Sequence, residues 1–343
     1  MPNKKTRILI LRFSAMGDVA MIAPVLRQAS IQNPDVEFSI ATRAFFTPFF
    51  NGIEGVRVIA SDIDKRYRGI GGIFKLYRDI RHEGPFDYLI DLHDVLRTRF
   101  LRVLFRFSGS HVFRIDKGRK EKKALTRKKN KKFAQLKTTI DRYADTFRKA
   151  GIKLDLDYHP PRTQSEIPDS IRAIFPEKKG KWIGIAPFAK HKGKIYPIDQ
   201  MESVIATLSK EENLSIFLFG GGKEERTITE RWATLYPHTF SVIGKISLQE
   251  EINLISNLDC MVSMDSSAMH MASLSGTRVV SIWGATHPYA GFLGFGQNTE
   301  DAVGLLLDCR PCSVYGNKPC YKGTWECLTL LSPQQIIDKI SEK

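Results

Sequence analysis

No apolar run in the 343 residues approaches the roughly 18 needed to cross a bilayer, which excludes a membrane-spanning helix. The first apolar stretch, Ile8–Leu11, lies between Lys4, Lys5 and Arg7 on one side and Arg12 on the other. It is too short for a secretory leader. Cysteine is scarce: the five residues are odd in number and all lie at or beyond Cys260, which fits reduced thiols in a cytoplasmic protein better than a disulfide framework. Glycine (25) and proline (16) stay near average usage, and no period of about 20 to 50 residues recurs. Fibrous and solenoid architectures are therefore excluded.

What the chain does have is apolar content, 42%, over a length sufficient for one large core or two ordinary ones. It also has a net charge of +15, unevenly placed. Residues 1–165 hold 34 basic and 17 acidic residues, whereas residues 166–343 hold 18 and 20. One half carries the whole excess, which implies two domains with different partners and an anionic partner for the first.

Short β-rich runs alternate with amphipathic segments. Strands are expected at Arg7–Leu11, Val36–Ala41, Val56–Ile59, Tyr88–Asp91 and Val112–Arg114, with helices around 18–32, 72–81, 95–107 and 138–150. The second half repeats the pattern, with strands at Trp182–Ala186, Ser215–Phe219, Cys260–Met264 and Arg278–Trp283 and helices around 199–210, 224–235, 247–257 and 267–275. Ser247 and Glu250 form a capping box, and Ser332-Pro333 opens a terminal helix. Such alternation means parallel βα units. Asp155–Pro168, with Pro160, Pro161 and Pro168, reads as a linker. The expected division is 1–165, 166–331 and a terminal helix over 332–343.

Polar and glycine-rich segments fall mostly just after the expected strands, at 13–18, 187–194, 220–222, 265–270 and 284–288. Ligands of open parallel sheets sit outside the carboxyl ends of the strands, so these five segments describe one cleft. Asp18 follows Gly17 where a strand turns into a helix, as a helix cap or as a functional carboxylate. Asp265, Ser266 and Ser267 open a helix whose free amides suit a diphosphate, with His270 about one turn on. Lys194 sits in a loop where a cation can compensate phosphate charge, or be simply solvated beside Lys190 and Lys192. Gly220 and Gly221 permit close backbone approach to a ligand or a tight turn.

The runs RFSAMGDV (12–19), KIYP (194–197), DSSAMHMA (265–272), WGATHP (283–288) and DRY (141–143) resemble the lipopolysaccharide heptosyltransferases, glycosyltransferase family 9, in order and spacing. The resemblance implies a GT-B fold, two doubly wound Rossmann-like α/β domains facing a central cleft. It implies inverting, metal-independent transfer of a heptose or related sugar from an ADP-sugar to a lipopolysaccharide core or lipid A-linked acceptor. Asp18 would be the general base. Lys194, Gly220, Gly221, Asp265, Ser266, Ser267 and His270 would bind the donor, and Ser14, Gly17, Lys117, Arg119 and Lys120 the acceptor. No cofactor and no nucleic acid are implied, and the place of work would be the cytoplasm or the inner face of the inner membrane. Phe188 and Ala189 stand where family members often have small hydroxylated residues or glycine. They motivate the alternatives of a different donor sugar or a nucleotide-sugar-binding protein without catalysis.

Between Arg114 and Lys132 lie 11 basic residues against Asp116 and Glu121. The plain expectation is a mobile, solvated loop, and the sharper one is docking to phosphorylated lipid A or the anionic inner leaflet or, in a third function class, to another polyanion. Without interleaved aromatics the run does not suit single-stranded nucleic acid. Asp62/Asp64 and Asp155/Asp157 resemble a metal-binding Asp-x-Asp pair but lie in a charged loop and the linker, and are read as structural. Cys309, Cys312, Cys320 and Cys327 are enough for a zinc site, although only the first pair has short chelating spacing; reduced thiols are the expected state.

Overall fold

The computed structural model describes residues 5–157, 162–175 and 177–342. By contacts the chain forms two compact units, Met1–Lys117 with Thr139–Tyr158, and Gly118–Thr138 with His159–Lys343. This differs from a single division at residue 165, because residues 118–138 leave the first half and build onto the second. Pro160 and Pro161 of the expected linker, and Lys343 of the terminal segment, lie outside the described residues.

The first unit follows the chain through β1 (Thr6–Leu11), α1 (Met16–Ala20), α2 (Ile22–Gln32), β2 (Val36–Arg43), β3 (Val56–Ser61), α3 (Gly69–His82), β4 (Tyr88–Asp91), α4 (Leu96–Phe107) and β5 (His111–Arg114). After α5 (Arg119–Leu125), which belongs to the other unit, α6 (Thr139–Lys149) completes it. The sheet order is β3-β2-β1-β4-β5, all parallel. Both faces of such a sheet are covered, which is why Ile8–Leu11 is apolar without alternation and fully buried. On one face Leu76 and Ile80 of α3 and Leu101 and Phe105 of α4 pack onto Leu9, Leu11 and Leu89. Full burial of each such side chain contributes about 2–3 kcal/mol.

The second unit contains α7 (Asp169–Arg172), β6 (Lys181–Ala186), α8 (Ile198–Leu208), β7 (Leu214–Leu218), α9 (Lys223–Leu235), β8 (Thr239–Ser241), α10 (Leu248–Asn257), β9 (Cys260–Met264), α11 (Ser267–Leu274), β10 (Val279–Ile282), β11 (Ala302–Val303), α12 (Glu326–Thr329) and α13 (Pro333–Ser341). Its parallel sheet runs β11-β10-β9-β6-β7-β8. The expected caps form: Ser247 Oγ accepts from the Glu250 amide, and Ser332 Oγ from that of Gln335. Each sheet reverses its strand order once, between β1 and β4 and between β6 and β9. Reversal points leave a crevice beyond the strand ends, where ligands bind.

The basic segment is not a mobile, solvated loop. Leu125 is fully buried and Lys122 nearly so, with its ammonium 4.1 Å from the Phe292 ring centre. Lys131 Nζ donates to the Asp308 and Arg310 carbonyls at 3.0 and 2.9 Å. Phe133 packs on His287 and Tyr289, and the Leu136 amide donates to the Tyr289 carbonyl. Aliphatic lysine stems laid over aromatic surface give a charged run a fixed place.

Candidate functional site

In the first unit the polar residues gather at the β1/β4 reversal. Arg12, at the end of β1, is buried and donates through Nε to the Ser14 carbonyl (2.6 Å) and through Nη1 to that of Leu92 beyond β4. Its remaining nitrogen, Nη2, pairs with Asp18 Oδ2 at 2.7 Å. Burial is the largest influence and works against the guanidinium charge, but Asp18, Tyr143 and Asp91 together outweigh it and hold Arg12 above its usual pKa. Asp18 is not the N-cap of α1, a place held by Ala15, but its third residue; its Oδ2 accepts the Ala15 amide at 3.3 Å, so a capping contact in the first turn coexists with the ion pair. Tyr143, fully buried on α6, donates its hydroxyl to the Asp18 carbonyl at 3.2 Å and lies under the Arg12 guanidinium.

Ser14 Oγ lies 3.1 Å from His93 Nε2, just after β4. The β4 turn is built on buried Asp91, whose Oδ1 accepts the amides of His93 and Asp94 at 2.9 Å each. Burial raises the Asp91 pKa against those amides. His93 is held neutral: burial, then Arg12 and Lys117, lower its pKa to about 3. An unfolded imidazole binds its proton first as pH falls from about 6.5, so this residue withdraws stability on acidification. Relative to His93→Gln, wild type should lose about 2 kcal/mol between pH 7.5 and pH 5, read from urea midpoints. Parallel pH dependence in the two proteins would rule the effect out.

In the second unit the β6/β9 reversal carries Lys194 and Asp265. Lys194 Nζ lies 2.8 Å from Asp265 Oδ2, and the side chains are 14% and 4% exposed. Ser266 is the N-cap residue of α11, its Oγ 3.1 Å from that of Ser263, while His270 is buried one turn further on. Lys194 is positioned by its neighbour Gly193, whose carbonyl accepts the Ala285 amide at 2.8 Å. A Cβ there would meet the Gly316 carbonyl oxygen at 2.7 Å and the Trp325 ring at 2.8 Å. Gly193→Ala is therefore expected to cost about 1–3 kcal/mol in thermal unfolding, and a variant as stable as wild type would refute the close fit.

At the β7 turn a Cβ on Gly220 would collide with Glu225, Ile243 and Phe188, whereas Gly221 faces open space. The Gly221 amide donates to Glu225 Oε2 at 2.7 Å, so the turn carries a carboxylate as well as glycines. Arg310, buried, donates to the carbonyls of Gly284, Thr286 and Leu305 and braces the 284–288 segment. Burial, with Arg310 and Lys131, lowers the His287 pKa to about 4.

The structure brings Asp18, Ser14 and Gly17 together, and separately Lys194, Asp265, Ser266 and Ser267. Lys117 closes the first unit and reaches the Asp94 carbonyl at 3.4 Å, but Arg119 and Lys120 open α5 in the second unit. Asp91, His93 and Glu225 are not among the expected site residues, and Arg12 and Tyr143 enter only as members of the RFSAMGDV and DRY runs. The polar residues Asp91, His93 and Asp94 at the end of β4 are the sequence signal for Asp91 and His93. Asp62 accepts the Lys65 and Arg66 amides, and Asp64 pairs with Arg43, in keeping with structural roles. Cys309, Cys312, Cys320 and Cys327 are free thiols along one small cavity with Arg310 and Trp325. Among the described residues no three His, Cys, Asp or Glu side chains are grouped to hold a metal ion.

Residues 73–319 match the family described as glycosyltransferase family 9 (heptosyltransferase). The chain is 21% identical over 301 residues to lipopolysaccharide heptosyltransferase 1 of Escherichia coli K12, covering 85% of this chain and 92% of that protein. Among solved structures it is similar to the family 9 glycosyl transferase of Veillonella parvula (TM-score 0.74, 16% identity, 99% and 97% of the two chains). It is also similar to the E. coli heptosyltransferase WaaC with ADP (TM-score 0.66, 19% identity, 97% and 99%). The two doubly wound parallel sheets match the GT-B architecture of those structures.

Proposed function

The chain belongs to glycosyltransferase family 9, and on that premise we propose that it moves a heptose, or a related sugar, from an ADP-sugar to a lipopolysaccharide core or lipid A-linked acceptor with inversion. The observation that carries this reading is similarity to lipopolysaccharide heptosyltransferases over 85% of the chain. The two polar clusters at the sheet reversals support it chemically.

In this reading the Asp18 carboxylate takes the proton of an acceptor hydroxyl as its oxygen attacks the anomeric carbon. The bond from that carbon to the diphosphate breaks on the opposite side, and ADP departs with the electron pair. Lys194 and the amides at the start of α11 meet the charge that develops on the diphosphate, which is why the reading needs no metal. Asp265 fixes the Lys194 ammonium before the donor arrives, and Ser266 and Ser267 offer hydroxyls. Arg12, itself anchored on two carbonyls, orients the Asp18 carboxylate. Ser14 and Gly17 border the acceptor, and His93, kept neutral, gives Ser14 a partner without adding charge.

The test is ADP release coupled to acceptor mass gain, using ADP-heptose, other nucleotide sugars as controls and a graded set of truncated lipopolysaccharide acceptors. Transfer from ADP-heptose by wild type supports the reading. Binding of ADP-heptose with no transfer to any acceptor would overturn it in favour of a nucleotide-sugar-binding protein.

A further inference from the structure

Helix α4 reads LRTRFLRVLFRF, and its two faces serve opposite ends. Thr98, Leu101 and Phe105 are buried toward the sheet. Leu96, Phe100, Val103 and Phe107 are 72%, 47%, 51% and 87% exposed. At about 100° per residue these four positions, spaced 4, 3 and 4, fall within about 60° of one another and roughly opposite the buried face. On neighbouring α3, Ile70 and Phe74, one turn apart, are 69% and 52% exposed. Scattered exposed apolar residues are ordinary in any soluble protein; a continuous stripe turned squarely away from the core is not.

The stripe is flanked by cations. Arg97 lies on one side, and Arg99, Arg102 and Arg106 on the other, where with Arg114 of β5 they line a recess of about 350 Å³ whose remaining walls are Val103 and Val112. Arg102 pairs with Asp91 and Asp94, and Arg99 with Asp94, which holds two of these guanidinium groups in place. An apolar ridge of Leu and Phe with arginines beside it is the composition of a helix lying in a lipid interface. The rings enter the acyl boundary and the guanidinium forks meet headgroup phosphates. Among the described residues no helix is long and apolar enough to cross a membrane, so contact through this face would be peripheral.

We propose that the outer face of α4, extended by Ile70 and Phe74 of α3, docks the protein on an anionic phospholipid bilayer. The proposal deepens the reading above, on which the acceptor is lipid-linked. It places the membrane contact on the first unit, where Arg114 is the one residue shared with the basic run 114–132; residues 118–132 of that run belong to the second unit, where lysines 122 and 131 are engaged.

The experiment is flotation of the full chain with vesicles of phosphatidylcholine alone and of phosphatidylcholine with phosphatidylglycerol. Wild type should float with the anionic vesicles, release in high salt and float poorly with the neutral ones. Phe100→Ser with Phe107→Ser replaces two exposed residues outside the buried core and should keep the thermal midpoint within a few degrees while binding anionic vesicles at least tenfold more weakly. Transfer to a water-soluble, delipidated acceptor should be unchanged in that variant. A charge reversal at Arg127, Lys128 and Lys129 should leave flotation largely intact.

Flotation of the double variant like wild type, or its loss only on reversal of residues 127–129, overturns the proposal. So does failure of wild type to float, or a stripe that turns out to hold two copies of the chain together without binding vesicles. Vesicle binding without transfer to any acceptor would sink the enzymatic reading and leave the docking face standing. Transfer to the delipidated acceptor without vesicle binding would do the reverse.

Discussion

Asp18→Asn is expected to lower kcat for sugar transfer by about 100- to 10,000-fold, the usual contribution of a positioned general base, and to leave donor binding near wild type. Asparagine keeps the shape and can still accept the Ala15 amide hydrogen, so α1 should form as before. What it loses is the proton acceptor and the charge opposite Arg12. That guanidinium still donates to the Ser14 and Leu92 carbonyls and Asp18 itself is 29% exposed, but Arg12 is buried and loses its counter-charge, so the stability cost should be about 1–3 kcal/mol. The measurement is single-turnover transfer with ADP affinity determined on the same protein. Retention of more than a tenth of wild-type kcat would remove Asp18 from the chemistry and leave it a capping contact of α1.

Lys194→Met should be the most damaging single change in the second unit, for two reasons that can be separated. Removing the ammonium strands the buried Asp265 carboxylate, which should destabilise the protein by about 2–4 kcal/mol. It also removes the cation that meets the leaving diphosphate, worth about 100- to 1,000-fold in kcat by analogy with a lost electrostatic stabiliser. Adding Asp265→Asn to Lys194→Met takes away the stranded charge. The double variant should regain most of the thermal midpoint yet still bind ADP at least tenfold more weakly than wild type. If ADP affinity returned along with stability, Lys194 would be an ion-pair partner of Asp265 and nothing more.

Much of this was legible in the residues. Parallel strands buried on both faces leave unbroken apolar runs, so β4 and β9 begin and end where expected. The capping residues of α10 and α13 mark their helices for a local reason, since each supplies its own hydrogen bonds. The segments after β1, β6 and β9 announced the two clusters because glycine, serine and charged residues interrupt apolar sequence there. His93 and Asp91 escaped notice because their importance comes from sheet order: only the adjacency of β4 to β1 brings His93 beside Ser14. β8 and β11, three and two residues long, are too short for any periodicity and exist because neighbouring strands offer them an edge. The basic run 114–132 departs from expectation for a different reason. Charge density predicts solvation, but it says nothing of aromatic surface elsewhere in the chain, and the rings of Phe292 and Tyr321, met by the Lys122 and Lys128 ammonium groups, provide it.

The segment 118–138 makes both units discontinuous. The chain passes from one to the other after Lys117, back after Thr138, and across again after Tyr158. Three covalent tethers join the halves, so no single cut yields an autonomous piece. A fragment ending near residue 165 would carry Leu125 and Phe133 with nothing to cover them, and the complementary fragment would lack the lysine that caps the Asp308 and Arg310 carbonyls. Dissection therefore calls for a permuted or split design that keeps residues 118–138 with the C-terminal half and closes 117 onto 139 by a short bridge.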